Sequence, residues 1–408
     1  MTCQDTEAGL LQRLREVYQD LHRHPELSYT EHRTAAIGAA WLRDLGFTVT
    51  EGLGRTGVVG VLRRGAGPVV LMRADMDALP VEENTGLPYA SAASGVMHAC
   101  GHDVHVTCLL GAAAELVADE SWAGTVVALL QPAEELARGA SGMVEDGLYA
   151  TVPRPDVVLG QHVAPIPAGF LGLRSGPAFA ATDTLRVTLY GEGGHGSRPE
   201  ATIDPVVMAA HTVLRLQTVV SREVAGTDTA VLTVGALQAG TKANIIPDQA
   251  ELLLNVRTYE VAVRQRVLDS ITRVVEGEAQ VAGARRPPRI ELLESAPAVV
   301  NHAAGAARTR PALETVVGPN RLIDPGPVTG SEDVGVLAEA ADAPLVFWLL
   351  GGADPAAFAD ATGIDQIQAR VAAQPSNHSP LFAPVIDPTL DIGVRALVAA
   401  ARTWLNTA

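Results

Sequence analysis

The sequence predicts an α/β protein built on a mixed sheet and interrupted by a small α+β unit at residues 181–294. Three observations carry this. Apolar runs of strand length alternate with helix-period segments through residues 1–180. From Thr182 the strands instead alternate apolar and polar residues, in the ferredoxin-like order strand–helix–strand–strand–helix–strand. After residue 295 the first texture returns, so residues 1–180 and 295–408 form one domain and 181–294 an insertion within it.

The elements follow in order. Leu10, Leu14, Val17 and Leu21 recur at helical spacing, and Pro25 ends the run. A second helix is expected from about Thr30, as N-cap, to Leu45, with Gly46 as its stop. Phe47 to Thr50, Val58 to Leu62 and Val69 to Met72 are strand-like, rich in valine and leucine. A helix is expected within Met97 to Val117 after its first turn. Thr125 to Leu130 and Val157 to Gly160 read as buried strands. Inside the insertion, Leu185, Val187 and Leu189 alternate with polar residues. Ile203 to Thr218 and Val261 to Val275 read as helices there, and Val231 to Gly235, Glu251 to Arg257 and Ile290 to Leu293 as strands. Leu345 to Leu350 is a buried strand and Pro388 to Leu405 a closing helix.

Composition narrows the function classes. A chain of 408 residues exceeds one ordinary core, and 47% hydrophobic with 19% charged residues is enough to bury one. Only 4% are aromatic, which argues against a stacking platform for nucleic acid. The formal charge of −16 repels phosphate backbones and anionic membranes. Cys3, Cys100 and Cys108 form no disulfide framework. The sequence carries no recognisable signal peptide and no apolar run long enough to span a bilayer. A cytoplasmic enzyme with neither nucleic-acid nor membrane partner is the expectation.

Five short segments concentrate the chemistry. Arg73-Ala-Asp75-Met-Asp77 follows a strand, where sites form in α/β sheets. His98-Ala-Cys100-Gly-His102-Asp103-Val-His105 opens a helix. Cys100 and His102 there are good ligands for borderline metals, and Asp103 and His105 are placed to orient them. Gln131-Pro-Ala-Glu134-Glu135 puts adjacent acids after an apolar strand, which is costly unless metal or protons neutralise them. One acid can bind metal while its neighbour, facing another way, acts as a base. His162 stands at the end of a strand, and His378 lies in Ser376-Asn-His-Ser-Pro380. Singly, each is an ordinary capped turn or structural histidine. Together they exceed one tetrahedral zinc and suit two metals sharing a ligand.

These segments resemble the superfamily of co-catalytic dinuclear metallopeptidases, and most closely its amidohydrolase branch of hippurate hydrolases and N-acyl-amino-acid and indole-acetyl-amino-acid hydrolases. The markers are Cys100-Gly-His102-Asp103 and Glu134-Glu135, and the match runs from His22-Arg-His-Pro-Glu26 to His378-Ser-Pro. The resemblance implies a metallopeptidase catalytic domain with an inserted dimerisation domain. It implies a homodimer and hydrolysis of linear amide bonds in small N-acyl amino acids. It implies two divalent ions, zinc or manganese first, with cobalt and nickel as alternatives. Cys100 would bridge them, with Glu135 and His378 on one ion and His102 and His162 on the other. Glu134 would be the general base and Asp77 and Asp103 supporting residues. His195, in Gly193-Gly-His-Gly-Ser-Arg-Pro199, would stabilise the oxyanion in the partner's site. Asn244 and Arg257 would contact substrate.

Two departures stand out. Glu200 occupies a position where relatives often carry histidine, and residues 353–374, before His378, are longer than in many relatives. The alternative functions are a dipeptidase or carboxypeptidase of the same superfamily, and an inactive metal-binding protein. A redox or nucleophilic role for Cys100 is the remaining reading.

Overall fold

A computed structural model describes residues 3–361 and 363–407. The chain divides into two compact units. One comprises the chain to Ala178, Val300–Gly326 and the chain from Asp333, and the other Phe179–Val299 with Pro327–Glu332. In chain order the main elements are α1 (Cys3–Arg23), α2 (His32–Asp44), β1 (Thr48–Leu53), β2 (Gly57–Arg64), β3 (Val69–Asp75), α3 (His102–Ala118), β4 (Trp122–Gln131) and β5 (Val157–Pro167). Then come β6 (Ala181–Tyr190), β7 (Gly194–His195), α4 (Pro205–Thr218), β8 (Ala230–Ala239), β9 (Ile245–Ile246), β10 (Gln249–Thr258), α5 (Val261–Val281) and β11 (Arg289–Ala296). The chain closes with α6 (Ala303–Val317), β12 (Leu345–Ala353), α7 (Ile364–Ala372) and α8 (Thr389–Trp404).

The first unit is built on a mixed sheet in the order β1-β2-β4-β3-β5-β12, continued by short strands. β1, β2 and β4 run antiparallel in succession, while β3, β4, β5 and β12 are mutually parallel neighbours. β4 and β5 are buried along almost their whole length, as expected for strands covered on both faces. Helix α3 is apolar on nearly every side and packs between α1 and α8. Its first residue is His102, so its burial carries that imidazole into the interior.

The second unit is a four-stranded antiparallel sheet, β8-β10-β6-β11, with α4 and α5 packed on one face. Leu185, Val187, Leu189, Leu252, Leu254 and Val256 meet Met208, Val267 and Ile271 in its core. Asp204 caps α4 by accepting from the Val206 N–H. The segment Pro327–Glu332 joins this unit, although the sequence suggests it belongs with the first domain. The Ala180 N–H donates to the Val328 and Gly330 carbonyls, and the Tyr259 hydroxyl to the Val328 carbonyl.

Two expectations need correction. α2 starts at His32, not Thr30, and its first N–H groups are captured by Glu26. The Glu26 carboxylate accepts from the backbones of Arg33 and Thr34, both at 2.8 Å, and Thr30 instead donates its hydroxyl to the Leu27 carbonyl. β5 does not end at His162. It runs on to Pro167, but its pairing with β3 stops at Gly160, which opens that flank beside His162. The segment 353–374 forms a short turn at Pro355–Phe358 followed by α7, which lies beside β5. No helix among the described residues is long and apolar enough to cross a membrane.

A buried ionic network ties the strands together. The Arg73 guanidinium, 1% exposed, donates to Asp75 at 2.9 Å and to the side-chain Oε1 of Gln131 at 2.8 Å, and it lies 3.3 Å from Asp333. Gln131 and the Ala140 N–H also donate to Asp333, at 2.5 and 3.0 Å. Removing one partner of a buried ion pair strands the other in low dielectric. Arg73→Met is therefore expected to lose about 3–5 kcal/mol in denaturant unfolding. A loss below about 1 kcal/mol would show that Arg73 does not balance these acids.

Candidate metal centre

The ligand-type side chains come from the ends and flanks of the parallel strands and the start of α3. Gly101 separates Cys100 from His102 with φ +80°, and a Cβ there would lie 2.3 Å from Val163 Cγ1. That left-handed, side-chain-free link lets the cysteine and the first helical residue converge on one point. Cys100, His102 and His162 offer ligand atoms within 4.8 Å of one another, as do Cys100, Glu135 and His378, so Cys100 belongs to both sets. Glu134 joins a further group with His102 and Glu135.

Hydrogen bonds fix how these groups face. His162 Nδ1 donates to the Val163 carbonyl at 2.8 Å, so Nε2 turns its lone pair toward Cys100 Sγ, 3.5 Å away. Burial lowers the His162 pKa to about 4, which keeps the ring neutral and able to ligate. His105 receives the Val163 N–H on Nε2 at 2.8 Å and therefore carries its proton on Nδ1, facing Asp75. The backbone that follows His162 is thus held by a histidine–aspartate pair. The Asn377 side chain donates to the Cys100 and Val163 carbonyls and approaches Cys100 Sγ at 3.8 Å.

His102 is fully buried, yet neither ring nitrogen completes a hydrogen bond of good geometry. Its Nδ1 is 3.3 Å from Asp77, and its Nε2 is 3.9 Å from Glu134 and 3.8 Å from Glu135. Glu135 Oε1 is likewise buried without a hydrogen-bond partner. Unsatisfied polar atoms converging in the interior fit a cation between them. Burial and the Glu135 charge push the Cys100 thiol up against the pull of His102 and His378, and a divalent ion is the kind of charge that holds a thiolate there. Glu134 and Glu135 do not face apart, as their adjacency suggests. Both reach the surroundings of His102 Nε2.

Backbone geometry explains that convergence. Ala133 sits at φ +47° and Ala137 at φ +51°, bracketing the short turn Glu134–Leu136. Asp77 accepts from the Glu134 N–H at 3.1 Å and the Glu135 N–H at 3.0 Å, and receives the Ser28 hydroxyl at 2.7 Å. Gly139 closes the turn where a Cβ would lie 1.5 Å from the Pro132 oxygen. His378, at φ +71°, is fixed by its N–H to the Ala99 carbonyl and approaches Glu135 at 3.3 Å. The carboxylate of Asp103 accepts from His22 Nδ1 at 2.7 Å.

His195, Asn244 and Arg257 belong to the second unit. His195 on β7 pairs with Ile245 on β9, and the Gly196 N–H donates to the Asn244 carbonyl, so these two are neighbours. Arg257 stands on a different strand, β10, and bonds to Asn255 and to the Thr329 carbonyl. Glu200 is exposed beside Arg198. Sequence reasoning missed the roles of Arg73, Asn377 and Glu31, the last a buried acid bonded to the Ala133 N–H.

Two ligand sets meeting at one buried cysteine, with a spare carboxylate beside them, define a centre able to hold a pair of metal ions. The chain belongs to peptidase family M20/M25/M40, whose profile matches residues 71–372. It is 40% identical over 277 residues to an N-acetylcysteine deacetylase of Bacillus subtilis, covering 67% of this chain and 72% of that one. It is 36% identical over 343 residues to thermostable carboxypeptidase 1 of Saccharolobus solfataricus, covering 82% and 85%. Among solved structures, a dinuclear metal-binding peptidase of family M20 from Bacillus subtilis matches with TM-score 0.76 and 30% identity, over 97% of this chain and 99% of that one.

Burial lowers the His22 pKa, but Asp103 and Glu83 outweigh it and raise it to about 10. A raised folded-state pKa gives stabilisation that is complete below the ordinary value of 6.5 and lost as pH climbs through about 10. Unfolding free energy is therefore expected to fall over that window, and His22→Gln to flatten the fall. An unchanged slope in the variant would remove His22 as its source.

Proposed function

We propose that this chain hydrolyses the acyl–nitrogen bond of small N-acylated amino acids, using two divalent metal ions and Glu134 as general base. The observation that carries the reading is the presence of Cys100 in two ligand sets with Glu134 beside them. In this assignment Cys100, Glu135 and His378 would hold one ion, and Cys100, His102 and His162 the other. Bound there, the ions polarise the amide carbonyl and make water a stronger acid. Glu134 takes a proton from the water that attacks the carbonyl carbon, and returns it to the amine nitrogen as the C–N bond breaks. Asp77 holds the backbone N–H groups of Glu134 and Glu135, and Asp103 steadies the start of α3 through His22. The cysteine and histidine donors favour zinc, with manganese, cobalt and nickel to be compared against it.

The remaining assignments concern the second unit. The Ser197 N–H donates to His195 Nδ1 at 3.1 Å, which leaves the neutral ring's proton on Nε2, the form needed to donate to an oxyanion. Arg257 offers a planar fork to a substrate carboxylate, and Asn244 a polar contact. Val207 and Leu214 lie seven residues apart on α4 and are 53% and 68% exposed. Val231 and Leu237 on the edge strand β8 are 44% and 45% exposed. An uncovered edge strand and an apolar helical stripe support a dimer formed through this unit.

Three measurements test the reading. Glu134→Gln is expected to bind metal normally while kcat falls between about 10²- and 10⁴-fold. Retained activity would remove Glu134 as the base. Chelation should abolish release of amino acid from N-acetyl, N-benzoyl and indole-acetyl substrates, and added zinc or manganese should restore it. Hydrolysis of unacylated peptides alone would favour the carboxypeptidase reading. The doubly substituted Val207→Glu, Leu214→Glu chain should run as a monomer in light scattering where the parent runs as a dimer. A monomeric parent would end the dimer assignment.

A further inference from the structure

The acid at position 31 has an unusual allocation. Glu31 precedes the first turn of α2, where a carboxylate ordinarily caps the helix, yet it makes no side-chain cap there. Glu26 has taken that task, accepting from the Arg33 and Thr34 N–H groups. The Glu31 side chain is fully buried and looks the other way. Its Oε1 accepts from the Ala133 N–H at 2.9 Å and its Oε2 from the Thr56 hydroxyl at 2.6 Å. Thr56 is itself buried.

Ala133 is where the backbone turns left-handed immediately before the two adjacent acids. A residue with a Cβ visits that conformation only when its surroundings hold it. Three successive N–H groups, those of Ala133, Glu134 and Glu135, each meet a buried carboxylate. Such a run of convergent N–H groups around a left-handed residue forms a concave anion cradle. Asp77 fills two of its places and Glu31 the third. Asp77 alone fixes the two acids to each other, but the direction in which the turn leaves β4 depends on Ala133.

We propose that Glu31 is a positioning residue for hydrolysis, holding the Ala133 turn so that the Glu134 carboxylate stays aimed at the centre. It touches neither metal nor substrate and acts through one backbone hydrogen bond. The proposal rests on Glu134 being the general base. Misplacing a reacting group by about 1 Å costs on the order of 10²-fold in rate, so a slackened turn should appear in kcat.

The experiment compares metal-loaded Glu31→Ala, Glu31→Gln and Thr56→Val with the parent chain on N-acetyl amino acids. Glu31→Ala should lower kcat between about 10- and 100-fold with KM within about 3-fold and two metals still bound. Amide exchange in the peptide spanning 131–138 should quicken in the same variant while peptides from α3 keep the parent rate. Glu31→Gln retains a carbonyl oxygen for the Ala133 N–H and should recover most of the lost kcat. Thr56→Val, which removes only the outer anchor, should give a smaller loss of the same kind, and it serves if Glu31→Ala does not fold. The proposal is overturned if exchange at 131–138 is unchanged, if kcat holds at the parent value in both Glu31→Ala and Thr56→Val, or if Glu31→Gln is as slow as Glu31→Ala. Activity surviving in Glu134→Gln would instead strike at the base assignment, and the exchange result would still report on the turn.

Discussion

Buried negative charge is the constraint around which the first unit is organised. Asp75, Asp77, Glu134 and Asp333 are all within a tenth of full burial, gathered where strands β3 and β4 end. Charges of one sign cannot share a low-dielectric interior without partners. Arg73 supplies one permanent cation, directed at Asp75 and Asp333. Asp77 is met by backbone N–H groups and the Ser28 hydroxyl. Glu135 Oε1 and both nitrogens of the neighbouring His102 are among the buried polar atoms with no hydrogen bond of their own. The same surplus that would destabilise an ordinary core becomes an affinity for divalent cations.

Two kinds of support hold the proposed ligands and the proposed base, Glu134. His102 and His162 ride on a buried helix and a buried strand, where packing and the hydrogen bonds of His162 and Val163 restrict them. Glu134, Glu135 and His378 ride on turns whose backbone is left-handed at non-glycine residues. Turns of that kind keep their shape only through what they are bonded to. For the Glu134–Glu135 turn those bonds run to Glu31 and Asp77, carboxylates from remote parts of the chain.

Much of this was legible in the sequence, for definite reasons. β3, β4 and β12 announce themselves by apolar runs of strand length, and α3 by a long apolar segment after a glycine. The Cys100–His102 and Glu134–Glu135 clusters were visible because titratable groups beside apolar runs need explanation. Other features left weaker traces. α6 is rich in alanine and holds Pro311, so no clear periodicity marks it. The full length of β5 was hidden because nothing local reveals where one neighbour stops pairing and another continues. Thr30 looked like a cap because local propensity cannot show that Glu26, from the preceding turn, already occupies the helix end. Glu31 and Asn377 act on residues about 100 and 277 positions away, and such partnerships have no local signature.

The spread of the ligand set along the chain has a consequence for biosynthesis. Cys100, His102, Glu135 and His162 all precede the second unit in the chain, whereas His378 follows it. Domains commonly fold as they emerge from the ribosome. The second unit's sheet and helices can therefore be complete while the first unit still lacks its last strand, its last helix and one of its five proposed ligands. A nascent chain at that stage would carry an incomplete set of the proposed ligands, closed only once the residues after the second unit have emerged.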